Sequence, residues 1–147
     1  MQHRRLSSGG RLDRSRTIGF SFNGQPYHGF QGDTLASALL ANGVDVVGRS
    51  FKYHRPRGII GSGAEEPNAI LQIGSGAKAL PNYRATQVEL FDGLKATSVN
   101  CWPAVTFDLL AINGLLAPLI PAGFYYKTFK WPGNTWKWWE QDRKSVV

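Results

Sequence analysis

An Asn-Gly pair at Asn23-Gly24 constrains this chain more than any other feature. Before it, residues 17–22 alternate Ile18, Phe20 and Phe22 with smaller side chains, and residues 25–30 continue after it. Both positions of a tight two-residue turn need positive φ, which Asn and Gly tolerate, so the stretch predicts a β-hairpin. A helix of about ten residues is predicted next. Asp33 or Thr34 can cap its start and Gly43 can end it, while Leu35, Ala38 and Leu39 share one face.

Residues 44–47 begin a return strand, and the apolar run 69–73 reads as a buried central strand. Residues 84–91 alternate, with Thr86, Val88 and Leu90 on one side and Gln87 and Glu89 on the other. Asp92-Gly93 then turns into 94–99, giving a second predicted hairpin. Hairpin, helix, return strand and loop is the order of an α+β, β-grasp domain. One pattern misleads: residues 74–79, Gly-Ser-Gly-Ala-Lys-Ala, fit a loose dinucleotide fingerprint. That fingerprint works only where the glycine turn opens a helix. Leu80-Pro81-Asn82 follows at once, so a loop between strands is expected.

The chemistry-bearing stretch runs through residues 48–71. Arg49, Lys52, Arg55 and Arg57 fall within nine residues, with Phe51, Tyr53 and His54 among them. Pro56 and Gly58 interrupt regular structure there, and residues 61–67 read as a small, flexible turn. A basic, aromatic loop of this kind is built to approach something anionic. The plain alternative is a solvated basic surface.

Net charge is +7, of which the first sixteen residues contribute +4 through five arginines against Asp13. The rest is only mildly basic, which argues against a nucleic-acid-binding face spread over the fold. The single cysteine, Cys101, permits neither an internal disulfide nor a thiolate metal cage. It fits a reducing compartment, so a cytoplasmic protein with no membrane association is expected. Residues 1–16 lack an apolar secretory core and read as an extended basic arm that docks on a neighbouring domain or subunit. The plain alternative is a disordered tail.

From residue 101 the character changes. Phe107, Leu110, Ala111 and Leu115 form a stripe that predicts a short helix. Residues 123–132 are rich in aromatics, and Trp136, Trp138 and Trp139 follow. Sugar- or nucleic-acid-stacking surfaces share this composition, but an exposed aromatic run on a short chain more often marks a docking surface for protein. The expected division is therefore a basic arm over 1–16, a β-grasp domain over 17–100 and a helix-containing aromatic linker over 101–147.

Several of these runs carry a resemblance. Residues 5–15, 48–71, 84–93, 100–103 and 121–129 resemble the N-terminal region of the alpha subunit of heterotetrameric sarcosine oxidase, a match covering about residues 5–139. That region is related to plant-type ferredoxins and to the iron–sulfur parts of bacterial amine and proline dehydrogenases. In those relatives the loop holds thiolates spaced C-x4-C-x2-C. Aligned on Arg55-Pro56-Arg57-Gly58, the three clustered ligand places fall at Gly61, Glu66 and Ala69, none a cysteine.

The resemblance implies a ferredoxin-like β-grasp domain without its cluster, no metal in this chain, and Arg49, Lys52, Arg55 and Arg57 as the cofactor-binding candidates, facing the flavin side of the subunit boundary. It implies a place in a complex that oxidatively demethylates sarcosine with FAD, FMN, NAD and tetrahydrofolate. The chain would be a piece ending before the dinucleotide-binding domain, structural and cofactor-supporting, with no catalytic residue and no activity alone. Its partners would be the other oxidase subunits and the rest of the alpha subunit, and without them its aromatic end would self-associate. The alternatives are part of a related amine, opine or proline dehydrogenase, or an independent β-grasp interaction module.

Overall fold

In the computed structural model, which describes residues 4–115, a five-stranded mixed sheet has the order β2-β1-β7-β5-β6. The strands are β1 (Asp13–Phe22), β2 (Gln25–Gln31), β5 (Ile70–Ile73), β6 (Leu80–Arg84) and β7 (Leu94–Ser98). A two-residue ladder, β3 (Gly48–Arg49) with β4 (Pro56–Arg57), closes the basic loop. Helix α1 (Leu35–Ala41) packs on the sheet, and a short helix α2 (Ile112–Leu115) ends the described residues.

The predicted first hairpin forms as expected. Phe22 pairs with Gln25, and Asn23 and Gly24 both take positive φ. Helix α1 starts with a capping box: Thr34 accepts from the Ser37 N–H, and Ser37 Oγ accepts from the Thr34 N–H. Two orphan donors are thus satisfied at the helix start. The fully buried Leu35 and Leu39 face Phe20, Phe22, Leu71 and Leu94 across the core. Each such leucine contributes about 2 kcal/mol by its burial. The helix is grasped by a mixed sheet, the β-grasp arrangement.

The basic arm meets the same helix start. Arg5 donates twice to the buried Asp33, at 3.0 and 2.7 Å, and Asp33 also accepts from the Phe30 N–H and Ser37 Oγ. Strand β1 begins at Asp13, within the stretch read from the sequence as arm.

Three expectations need correction. Of residues 84–91 only Arg84 is in a strand, as the last residue of β6, and a 3-10 turn covers Ala85–Gln87. Their amides and carbonyls are taken one at a time. The Ala85 N–H donates to Ala69 O, the Leu90 N–H to Asp33 O, and Val88 O accepts from the Leu35 N–H. The alternation reports burial, since Thr86 and Leu90 are buried and Gln87 and Glu89 are not, but no strand lies alongside to complete a ladder. Nor does Asp92-Gly93 close a hairpin. Strand β7 runs parallel to β1 and antiparallel to β5. Residues 44–47 lead to the short β3 without strand pairing of their own. Residues 74–79 form the β5–β6 connection, with only a three-residue 3-10 turn.

The stripe from Phe107 forms a 3-10 turn, Leu109–Ala111, running into α2, but Phe107, Leu109, Leu110, Ile112 and Leu115 are exposed, as is Trp102. The aromatic run 123–132 and Trp136, Trp138 and Trp139 lie outside the described residues. Among the described residues, no helix is long and apolar enough to cross a membrane.

Candidate functional site

The four cations of the basic loop divide by position. Arg49 lies on β3 with its side chain largely covered. Its Nε donates to Val105 O at 2.9 Å and its NH1 to His54 O at 2.8 Å. Lys52 and Arg55 stand over the Tyr53 ring, at 5.0 and 5.1 Å from its centroid. Arg57 is exposed on β4 and donates to Asn68 Oδ1 at 2.8 Å. Arg49 is therefore an internal tie, while Arg55 and Arg57 bracket Pro56 on the outer rim. Phe51 is also exposed there.

The loop keeps this shape because its turn is held from both sides. Ser50 accepts at its carbonyl from the His54 N–H and at Oγ from the Arg55 N–H. His54 takes a positive φ of 53° and turns its ring inward, where Nδ1 lies 2.9 Å from Asp108 Oδ2. Asp108 is buried. It also accepts from the backbone N–H groups of Trp102 and Leu110, with Arg49 Nε at 3.6 Å. Burial pushes the Asp108 carboxyl up, but the Trp102 N–H, the His54 ring and the Leu110 N–H hold it below its ordinary value. An ionised carboxylate only accepts, so the bond places a proton on His54 Nδ1. Asp108 thus ties the basic loop to residues 101–110. This contact joins positions 54 residues apart, and no local pattern announces it.

The neighbouring loop, residues 58–69, contains the three inferred ligand places. They come together around one side chain. Glu66 is fully buried. Its Oε2 accepts from the Ile60 N–H at 2.7 Å and from the Gly61 N–H. Its Oε1 accepts from the Asn68 and Ala69 N–H groups at 2.7 and 3.1 Å. Burial raises the Glu66 carboxyl, but the N–H donors of Gly61, Asn68, Ile60 and Ala69 outweigh it and hold it below its ordinary value. The exposed Glu65 turns the other way and accepts from the Ser62 and Gly63 N–H groups. The turn read from the sequence as flexible is a closed, hydrogen-bonded loop. Adjacent Glu residues in a glycine-rich turn hint at such bonding, but their identity does not say which one points inward.

The residues present do not fit an iron–sulfur cluster. Thiolates hold such clusters, and Gly61, Glu66 and Ala69 offer none. A Cβ on Gly61 would stand 3.0 Å from Glu66 Cα, so a longer ligand there would displace the turn. Among the described residues, no group of three or more His, Cys, Asp and Glu side chains converges on a metal position.

Arg57 and Asn68 join the two loops, since Asn68 meets Arg57 through its side chain and Glu66 through its N–H. Beside this junction is a cavity of about 390 Å3, lined in part by Arg49, Phe51, Arg57, Asn68, Asn82 and Asn100. A larger one, about 840 Å3, lies by the Asn23 turn and the 43–46 and 101–106 segments, away from the basic loop.

The model of the 2Fe-2S iron-sulfur cluster binding domain family matches residues 15–101. The chain is 57% identical over 137 residues to the sarcosine oxidase subunit alpha of Rhizobium meliloti, covering 93% of this chain and 14% of that protein. It is 43% identical over 94 residues to the protein of the same name from Corynebacterium sp. strain U-96, covering 62% of this chain and 10% of that one. It therefore spans about a seventh or less of the length of these relatives. Among solved structures, L-proline dehydrogenase from P. horikoshii aligns with a TM-score of 0.50 at 21% identity, covering 64% of this chain and 18% of that one, a likeness of fold. The resemblance to sarcosine oxidase alpha subunits is borne out, and the chain belongs to the 2Fe-2S iron-sulfur cluster binding domain family.

Proposed function

We propose that this chain is the cluster-free β-grasp region of a sarcosine oxidase alpha-type subunit. It supplies a rigid scaffold and a basic loop at the edge of a cofactor site. The full complex oxidatively demethylates sarcosine with FAD, FMN, NAD and tetrahydrofolate. The reacting groups and the amine specificity come from other parts of that complex. In this reading at least one of Arg55 and Arg57 contacts a cofactor phosphate, or the partner surface enclosing it.

One observation carries the reading. Arg55 and Arg57 are exposed on either side of Pro56, on a loop already held by Arg49, His54 and Asp108. Pro56 restricts the backbone between them. Arginine's planar fork gives two parallel, charge-assisted hydrogen bonds to phosphate. A loop fixed before binding loses little entropy when it meets its ligand.

The test is Arg55→Ala and Arg57→Ala in a full-length complex, with bound FMN and NAD measured against FAD. Selective loss of FMN or NAD, with FAD kept, is expected. Wild-type occupancy of all three cofactors in both variants would make the loop structural only.

A further inference from the structure

The family to which this chain belongs is described by a cluster that its residues cannot hold, and the loop is nevertheless closed. In a cluster-bearing loop the metal and its thiolates form an anionic centre, and backbone N–H groups turn towards the sulfurs. When such a centre is removed, the inward N–H groups are left buried without acceptors. Each buried unsatisfied donor costs about 1–3 kcal/mol, so a loop of this shape needs a replacement acceptor or a different shape.

We infer that the Glu66 carboxylate is that replacement: a built-in anion, from one of the former ligand places, that organises the loop in the cluster's stead. Four backbone N–H groups converge on its two oxygens. They come from both flanks, Ile60 and Gly61 on one side and Asn68 and Ala69 on the other. Two of the four, those of Gly61 and Ala69, belong to the other inferred ligand places. The side chain is fully buried, so its position is fixed by these bonds and not by solvent. Gly61 has room for no larger residue without displacing the Glu66 backbone, so the loop closes tightly enough for one carboxylate to span it.

Thr86 and Arg84 secure the same turn from outside. Thr86 Oγ1 donates to Gly63 O, and Arg84 Nε donates to Glu66 O. Asn68 links the closed loop to Arg57, so Glu66 also sets where the basic rim stands. What the loop keeps is a binding cradle for a carboxylate, filled by the chain itself.

The cradle can be emptied and refilled in the intact chain. Glu66→Ala removes the carboxylate, and hydrogen exchange at the amides of residues 60, 61, 68 and 69 is then read against amides of the β1–β2 hairpin. Exchange at the four amides is expected to accelerate about tenfold or more. Formate should restore part of the lost protection by entering the cradle, whereas sodium chloride at the same ionic strength should not.

Glu66→Gln keeps the shape and removes the charge. One of its two polar atoms becomes a donor facing donors, so one of the two amide pairs should lose protection. If Glu66→Ala fails to fold, this second variant decides the matter alone. Unchanged exchange at all four amides in Glu66→Gln overturns the inference. So does a folded Glu66→Ala whose loop amides stay protected, or whose lost protection formate does not restore.

Discussion

Two buried carboxylates, Glu66 and Asp108, organise neighbouring parts of this molecule by different means. Glu66 binds only its own loop, through backbone N–H groups within six residues of it. Asp108 accepts from two nearby N–H groups, but its remaining partners are His54 and Arg49, more than fifty residues away. One carboxylate closes a loop, and the other ties two segments together. A loop closed on itself needs no distant partner for its carboxylate, although Thr86 and Arg84 brace the turn from outside. A tie does, and residues 101–115 depend on it while exposing Trp102, Phe107 and Leu115.

Removing each carboxylate is the strongest way to break this comparison. Glu66→Ala leaves four N–H groups facing an empty cradle, and a loss of about 3 kcal/mol of unfolding free energy in urea is expected. A loss under about 0.5 kcal/mol would mean that water satisfies the loop as well as the carboxylate does.

Asp108→Ala should cost less, about 2 kcal/mol, because it leaves two backbone N–H groups without their acceptor rather than four. Its mark is positional: limited proteolysis should cut within residues 101–115 first, while residues 58–69 stay protected. Equal protection of 101–115 in wild type and variant would show that Asp108 is no tie.

Acid sharpens the contrast between charge and shape. Both carboxyls are held below their ordinary values of 4.5 for Glu66 and 3.8 for Asp108. Each therefore contributes stability that is fully present above its unfolded value and is lost as pH falls through the lowered folded value. Melting temperature should drop as pH descends below about 4.5. The gap between wild type and Glu66→Gln should narrow over the same range. A gap that stays constant down to full protonation would show that the charge on Glu66 contributes nothing.

The smallest effect is expected on the outer rim. Arg55→Ala and Arg57→Ala should each change unfolding free energy by less than about 0.5 kcal/mol, since both side chains are exposed. Arg49→Ala should cost clearly more, because its guanidinium is largely covered and bonded to two carbonyls. Equal losses for all three arginines would erase the distinction between the internal tie and the rim.

Much of the fold was legible because its signals are local. Asn23-Gly24 specifies a hairpin through the φ its two residues can adopt. Thr34, one of the two candidate caps, marks the helix start through a bond three residues along. Residues 84–91 show the limit: their alternation separated Thr86, Val88 and Leu90, which are buried or half-buried, from the exposed Gln87 and Glu89, yet β geometry also needs a neighbouring strand, which periodicity cannot supply. The basic loop was legible as composition only. Four cations read alike in one dimension, and packing alone separated Arg49 from Arg55 and Arg57.

By itself the sequence determined the hairpin, the helix, the β-grasp order and the lack of a cysteine at the three inferred ligand places, because each follows from residue identity or from neighbours along the chain. Only the tertiary structure decided that β7 lies between β1 and β5, that Glu66 and not Glu65 turns inward, and that Asp108 reaches His54. Those outcomes depend on which groups meet once distant segments have packed. The free energy that selects them, burial of apolar surface together with acceptors for every buried donor, does not exist until they do.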